Sequence, residues 1–142
     1  KHGGKFLLVE EHASDGLRLN NPAGHLDCGE TPDKACVRET LEETAYDFTP
    51  SALVGIYLSR QRQNVEGDIT YLRLAYCGHI GAHHPARTLD TGIVRAVWLT
   101  LDEVRASAAR HRSVMVLRGI EDYLAGRRFP LDLVAHDGSL AP

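Results

Sequence analysis

The sequence predicts a single α/β layered domain. Three observations carry that expectation: apolar runs with period-two alternation, helical stretches marked by capping residues, and the interleaving of the two along the chain. At 142 residues, 43% hydrophobic and 25% charged, the chain has the size and composition of one domain able to bury a core. No repeat, low-complexity tract or linker divides it, so residues 1–142 read as one unit.

The first strand is expected at Phe6 to Val9, an unbroken apolar run. A weaker strand signal follows over residues 17–20, closed by Asn21 and Pro22. Thr31 stands where an N-cap does and Pro32 suits the first helical position, so a helix is expected from Pro32 to about Tyr46. Strand patterns then run over 52–62 and 69–77, with Asn64, Glu66, Gly67 and Asp68 as the turn between them. In the second run, Ile69, Tyr71, Arg73, Ala75 and Cys77 share one face, while Thr70, Leu72, Leu74 and Tyr76 share the other. Both faces are partly apolar, which predicts a sheet covered on each side. Another strand over 93–99 ends in Trp98 and Leu99, and Thr100 with Glu103 has the spacing of a capping box opening a second helix. A third helix is expected from about Ser113 to Ala125, stopped by Gly126.

Bulk chemistry narrows the function classes. No apolar run approaches the roughly 18 residues of a membrane span, and the start shows no signal or transit pattern, so a cytoplasmic protein with no membrane partner is expected. Cys28, Cys36 and Cys77 are odd in number and scattered, which disfavours disulfides and zinc. Of the eight histidines, His83 and His84 are adjacent and the others dispersed, so none is given a ligand role. The net charge is −3 and the 16 basic residues form no block, which argues against nucleic acid as a partner. If the substrate is nevertheless a small phosphorylated molecule, a cation must stand between it and the protein's carboxylates.

The informative segment is GHLDCGETPDKACVRETLEETAY, residues 24–46. It opens as a loop with Gly24 and Gly29 at its ends, then enters the helix. At 100° per residue, Val37, Leu41, Thr44, Ala45 and Phe48 fall on one side, and Glu39, Glu42 and Glu43 cluster roughly opposite. Two like unit charges about 4 Å apart cost about 1 kcal/mol in water and about 4 at an effective dielectric of 20. A bound dication reverses that sign, and magnesium prefers such oxygen ligands together with water and substrate phosphates. An acidic, merely solvated helix face is the competing reading of the same three residues.

The full spacing separates these readings. Gly24, Glu30, the pair Arg38 and Glu39, then Glu42 and Glu43 together resemble the Nudix box. The stretches GKFLLVEE, NNPAGHL, VWLTLDEV and RSVMVLRGIEDYLAGRRFPLDLV extend the similarity over most of the chain and look like the phosphatase NudJ subgroup of that family. The resemblance implies a Nudix-type α/β/α sandwich around a central mixed β-sheet. Members of the subgroup begin with one more strand, which implies residues ahead of Lys1. Two positions depart from the box: Thr40 fills a slot that is usually aliphatic, and Ala45 replaces the usual final glycine. Both bear on helix packing and exit, and neither removes a carboxylate.

Carried over by position, the resemblance implies that Glu39, Glu42 and Glu43 ligate a divalent metal, Mg2+ with Mn2+ as a substitute, with the Gly24 carbonyl as a further ligand. Arg38 would orient a carboxylate and Glu30 would support the loop–helix junction. Glu39 is the first candidate for the base that activates water, with Asp90, Glu66 and Asp68 as alternatives. Arg60 and Arg62 alternate along one expected strand face and are candidates for substrate phosphate, with Arg18 and Arg73 behind them. Tyr57, Tyr71 and Tyr76 are read as packing rather than stacking on a base. The implied activity is Mg-dependent hydrolysis of phosphoanhydride bonds in nucleoside di- and triphosphates or related small pyrophosphates, such as the pyrimidine pyrophosphate precursor of thiamine, with phosphate released. A non-catalytic nucleotide sensor on the same fold is the alternative, and a monomer or homodimer is expected.

Overall fold

The computed structural model describes residues 1–62 and 67–140. Asn64 and Glu66 of the expected turn therefore lie outside the described residues, whereas Gly67 and Asp68 lie within them. The chain runs β1 (Lys5–Ala13), β2 (Gly16–Asn20), α1 (Pro32–Thr44), β3 (Tyr46–Gln61), β4 (Ile69–His83), β5 (Ile93–Thr100), α2 (Leu101–Ala106) and α3 (Met115–Leu124). Short 3-10 turns follow α2 at Ala108–Arg110 and α3 at Leu131–Leu133. Every predicted element forms. All five strands are longer than their local pattern indicates, because ladder pairing carries a strand beyond its apolar run.

β1 is the centre of a three-stranded sheet ordered β2-β1-β5, antiparallel throughout, and β3 and β4 form a long antiparallel ribbon. A parallel bridge at Leu19–His111 and an antiparallel one between Leu53 and Phe129 tie these strands to the C-terminal third. Leu8 and Val9 are neighbours that point to opposite faces of the sheet, and both are 0% exposed. So this sheet is covered on each side. On one side Phe6, Leu8 and Leu19 pack with Val104, Val116 and Ile120 of α2 and α3. On the other, α1 packs against β3 and β5, completing the expected α/β/α sandwich.

The expectation of a two-sided cover fails for the ribbon. Ile56, Leu58 and Leu72 are 52%, 65% and 63% exposed, on the face opposite Tyr71 and Arg73. Alternation records which residues share a face, not whether anything lies on it. Among the described residues, no helix is long and apolar enough to cross a membrane.

Caps set the path of α1. Thr100 closes the predicted capping box of α2, its hydroxyl accepting from Glu103 N and its own N–H donating to the Glu103 carboxylate. Thr31 behaves differently. It occupies the N-cap of α1 with extended backbone, yet its hydroxyl makes no cap bond and is a buried oxygen without a partner. At the other end Ala45 sits at φ 60, ψ 21, the left-handed conformation that explains the usual glycine there. Its N–H reaches Leu41 O at 2.9 Å, and the reversal lets β3 begin at the next residue.

The buried stripe of α1 also differs from the wheel. Ala35, Thr40, Glu43 and Thr44 are buried, while Val37 and Leu41 are only half-buried. The polar members are accommodated by back-bonding: Thr40 Oγ1 donates to Cys36 O at 2.7 Å, and Thr44 Oγ1 to Thr40 O at 2.5 Å. A threonine in the usually aliphatic slot thus costs the helix no unsatisfied hydroxyl.

Candidate metal and catalytic site

The acidic side of α1 is not a solvated face. Glu39 and Glu42 side chains are 12% and 29% exposed, and Glu43 is buried at 7%. Arg38 ties this side to the preceding loop. Its Nη1 donates to Glu39 Oε1 at 2.7 Å and Glu42 Oε2 at 3.0 Å, and its Nη2 donates to Glu30 Oε1 at 2.6 Å and to His25 O at 3.0 Å. Glu30 in turn accepts from Asp27 N at 2.8 Å. Pairing with Glu30 first, and then with Glu39, raises the Arg38 pKa far above its ordinary value, so the guanidinium is a permanent charge. Arg38 also holds Glu30 below the usual carboxylate range.

Gly24 lies directly against Glu39. A methyl group built on it would overlap the Glu39 carboxyl group, so only glycine permits this approach of loop to helix. Glu43 reaches the same loop from the next turn, its Oε2 accepting from Ala23 N at 3.0 Å. Burial is the main reason its pKa is pushed up to about 8, with the nearby negative charges of Glu39, Glu11 and Asp90 adding to it.

Glu39, Glu42 and Asp90 converge: one carboxylate oxygen from each lies within 4.8 Å of the others. Asp90 arrives from the loop before β5, where its N–H donates to Glu42 O at 3.1 Å. An all-oxygen set of three carboxylates fits a hard dication such as magnesium, and among the described residues no nitrogen or sulfur ligand joins it.

Other sequence candidates land elsewhere. Arg60 pairs with Asp68 at the exposed end of the ribbon, and Arg62 is exposed beyond it. Glu66 lies outside the described residues. Arg18 is held by Asp15 at 2.6 Å and by Ala109 O. Tyr57 packs as expected, its hydroxyl donating to Asp122 at 2.8 Å. Arg73 is different: it is turned toward the site loop, where its guanidinium donates to Asn20 Oδ1 at 3.0 Å and Asn21 Oδ1 at 3.4 Å. Sequence reasoning gave no role to Asn20, Asn21 or Glu11, because nothing in their spacing links them to the box.

Comparisons with known proteins agree with this geometry. The family model of the NUDIX domain matches residues 1–118. Phosphatase NudJ of Escherichia coli strain K12 is 33% identical over 132 residues, covering 92% of this chain and 82% of that protein, and the Shigella flexneri phosphatase NudJ aligns equally well. Among solved structures, a NUDIX hydrolase from Nitrosomonas europaea superposes with a TM-score of 0.87 at 47% identity, covering 96% of this chain and 90% of that one. A UDP-X diphosphatase shares the fold alone, with a TM-score of 0.67 at 15% identity, covering 91% of this chain and 61% of its own. With its box on the helix and loop where the carboxylates of Glu39 and Glu42 meet Asp90, the chain belongs to the Nudix family and is a Nudix-type pyrophosphohydrolase.

Proposed function

We propose that the protein is a cytoplasmic, Mg2+-dependent hydrolase that cuts phosphoanhydride bonds in nucleoside di- and triphosphates or related small pyrophosphates and releases phosphate. The pyrimidine pyrophosphate precursor of thiamine belongs to that substrate class by resemblance to the NudJ phosphatases. The observation that carries the reading is the convergence of Glu39, Glu42 and Asp90 beside a buried Glu43. Three carboxylates at that separation carry more negative charge than the Arg38 guanidinium balances, and a divalent cation among them would offset the rest.

Glu39, Glu42 and Asp90 would hold the metal, with Glu43 and the Gly24 carbonyl behind them, and Mn2+ would substitute. When bound, the metal neutralises phosphate charge and makes water more acidic. Arg38 holds Glu39 and Glu42 in one orientation through two hydrogen bonds, so their placement needs little reorganisation when substrate arrives. Glu30 and the Gly24 contact keep the loop closed against the helix. The proton of the attacking water goes to a carboxylate of the trio: Glu39, or Asp90, whose loop position leaves it more exposed.

A panel of nucleoside di- and triphosphates and small pyrophosphates, assayed with Mg2+ and with EDTA, tests this directly. Metal-dependent release of phosphate supports the reading. Binding without release under every metal condition overturns it in favour of a sensor.

A further inference from the structure

We propose that the cleft between the exit of α1 and β5 is a regulatory binding site for a small aromatic carboxylate, whose occupancy strengthens metal binding by fixing the loop that carries Asp90. The coupling to metal rests on the reading of Glu39, Glu42 and Asp90 as the metal site, whereas the binding itself stands apart from that reading.

The cleft measures about 250 Å3, and no member of the carboxylate trio lines it. One wall is built where α1 gives way to β3. There Tyr46 pairs with His83 of β4, and their rings stack with centroids 4.2 Å apart and planes 19° from parallel. Trp98 of β5 meets the Tyr46 ring edge-on at 5.7 Å and donates its indole N–H to the Tyr46 hydroxyl at 3.3 Å. Val94, also of β5, is 45% exposed and adds apolar surface open to water. Leu89 and Arg87 close the cleft from the segment 84–92.

Charge separates the two arginines that border it. Arg95 is committed, its guanidinium donating to Glu10 at 2.6 Å. Arg87 is exposed and, among the described residues, has no carboxylate within ion-pair distance. These features define the ligand. Aromatic walls and an apolar floor favour a flat ring through edge-to-face and offset contacts. A guanidinium without a partner favours a carboxylate, which it takes through two parallel hydrogen bonds. Sites for drug-sized ligands begin at roughly 300 Å3, so this cleft is sized for one ring and a small anionic group rather than for a whole nucleotide.

The segment that closes the cleft also reaches the trio. His84 N–H donates to Ala45 O at 2.8 Å at its start, and Asp90 N–H donates to Glu42 O at 3.1 Å near its end. Arg87 and Leu89 lie between these two anchors, and Leu89 precedes Asp90 directly. A carboxylate held by Arg87 therefore orders the stretch that delivers the Asp90 side chain. Metal then has less of that stretch left to order, so each ligand raises the affinity for the other, by the same factor in both directions.

Trp98 is the only tryptophan of the chain, so its fluorescence reads the cleft directly. Added to the full chain, benzoate is expected to change that fluorescence saturably. Cyclohexanecarboxylate, which lacks the aromatic ring, and benzamide, which lacks the charge, are expected to bind at least about tenfold more weakly. Arg87→Gln is expected to weaken benzoate by about tenfold, with thermal melts showing the variant folded. Calorimetric titration with Mg2+ is expected to give a Kd about fivefold lower in saturating benzoate than without it, in the wild type and not in Arg87→Gln. Equal affinity for the three probes, no saturable response, unchanged binding in Arg87→Gln, or a Mg2+ affinity indifferent to benzoate overturns the proposal. Failure of the metal reading looks different: benzoate binds with these preferences to a chain that takes up no Mg2+ in either condition, which removes the coupling.

Discussion

Gly24 and Glu39 are in contact so close that no side chain fits between them: the space a Cβ would take at position 24 is the space the Glu39 carboxyl group fills. The loop and the helix are thereby locked at the point where Arg38 also bridges them. Gly24→Ala is expected to push Glu39 out of the trio and lower kcat by about a hundredfold, with a melting temperature close to wild type, since the loop is exposed and can yield. Near-normal kcat would show that the contact does not place Glu39.

Glu42 belongs to the carboxylate set, bonded to Arg38 through its side chain and to Asp90 through its backbone. Glu42→Gln is expected to lower turnover by at least about a hundredfold while the fold stays intact. The backbone bond to Asp90 survives that change, so the loss would belong to the carboxylate itself. Activity equal to wild type would end the metal assignment.

Chelation should be visible in stability as well as activity. A ligand that binds only the folded chain stabilises it by about 2.7 kcal/mol at a hundred times its Kd. Mg2+ is expected to raise the melting temperature of the wild type, EDTA to reverse the rise, and Glu42→Gln to show much less of it. A melting temperature indifferent to Mg2+ in the wild type would contradict a metal held by the trio.

Glu10 links the sheet to the connector after α2, accepting from Arg95 and Arg110 at 2.6 Å each. The hydrogen bond from Arg95, followed by that from Arg110, holds its carboxyl below the ordinary value of 4.5. A folded pKa below the unfolded one means the stabilisation is complete above about pH 4.5 and is lost as pH falls through the folded value. Glu10→Gln is expected to cost about 1–2 kcal/mol at pH 7, discounted for the exposure of both arginines, and to flatten the acid limb of the stability curve. An acid limb identical to wild type would remove Glu10 from the account.

Thr31 presents the opposite case, a buried hydroxyl that bonds nothing. Thr31→Val keeps the shape and removes the desolvated oxygen, so denaturant unfolding is expected to show stability unchanged or raised by up to about 1 kcal/mol. A loss of 1 kcal/mol or more would mean the hydroxyl has a partner after all.

Legibility in the sequence followed the range of the interaction. Thr100 and Glu103 formed their box because a capping box closes within one turn. Thr31 had the right residue type and position, but its hydroxyl is buried and makes no cap bond. The apolar wheel of α1 placed Thr44 and Ala45 on the buried side correctly, but it put Glu43 on the opposite face and gave Thr40 no place in the core, and both are buried. In the fold, Thr40 and Thr44 satisfy their hydroxyls on the preceding turn, and Glu43 finds Ala23 N. Arg60 and Arg62 were chosen for alternation on a strand, which could not show that Arg60 pairs with Asp68.

The sequence by itself determined the family, the order of elements and the grouping of Glu39, Glu42 and Glu43, since helical spacing is local geometry that each residue carries with it. Tertiary structure alone decided that Asp90 joins Glu39 and Glu42, that Glu43 is buried against the loop, and that Arg73 reaches Asn20 and Asn21 while the opposite side of its ribbon stays bare. These depend on which loops pack against which helix, and that is settled by burial and backbone pairing between segments remote in sequence, where no periodicity reaches.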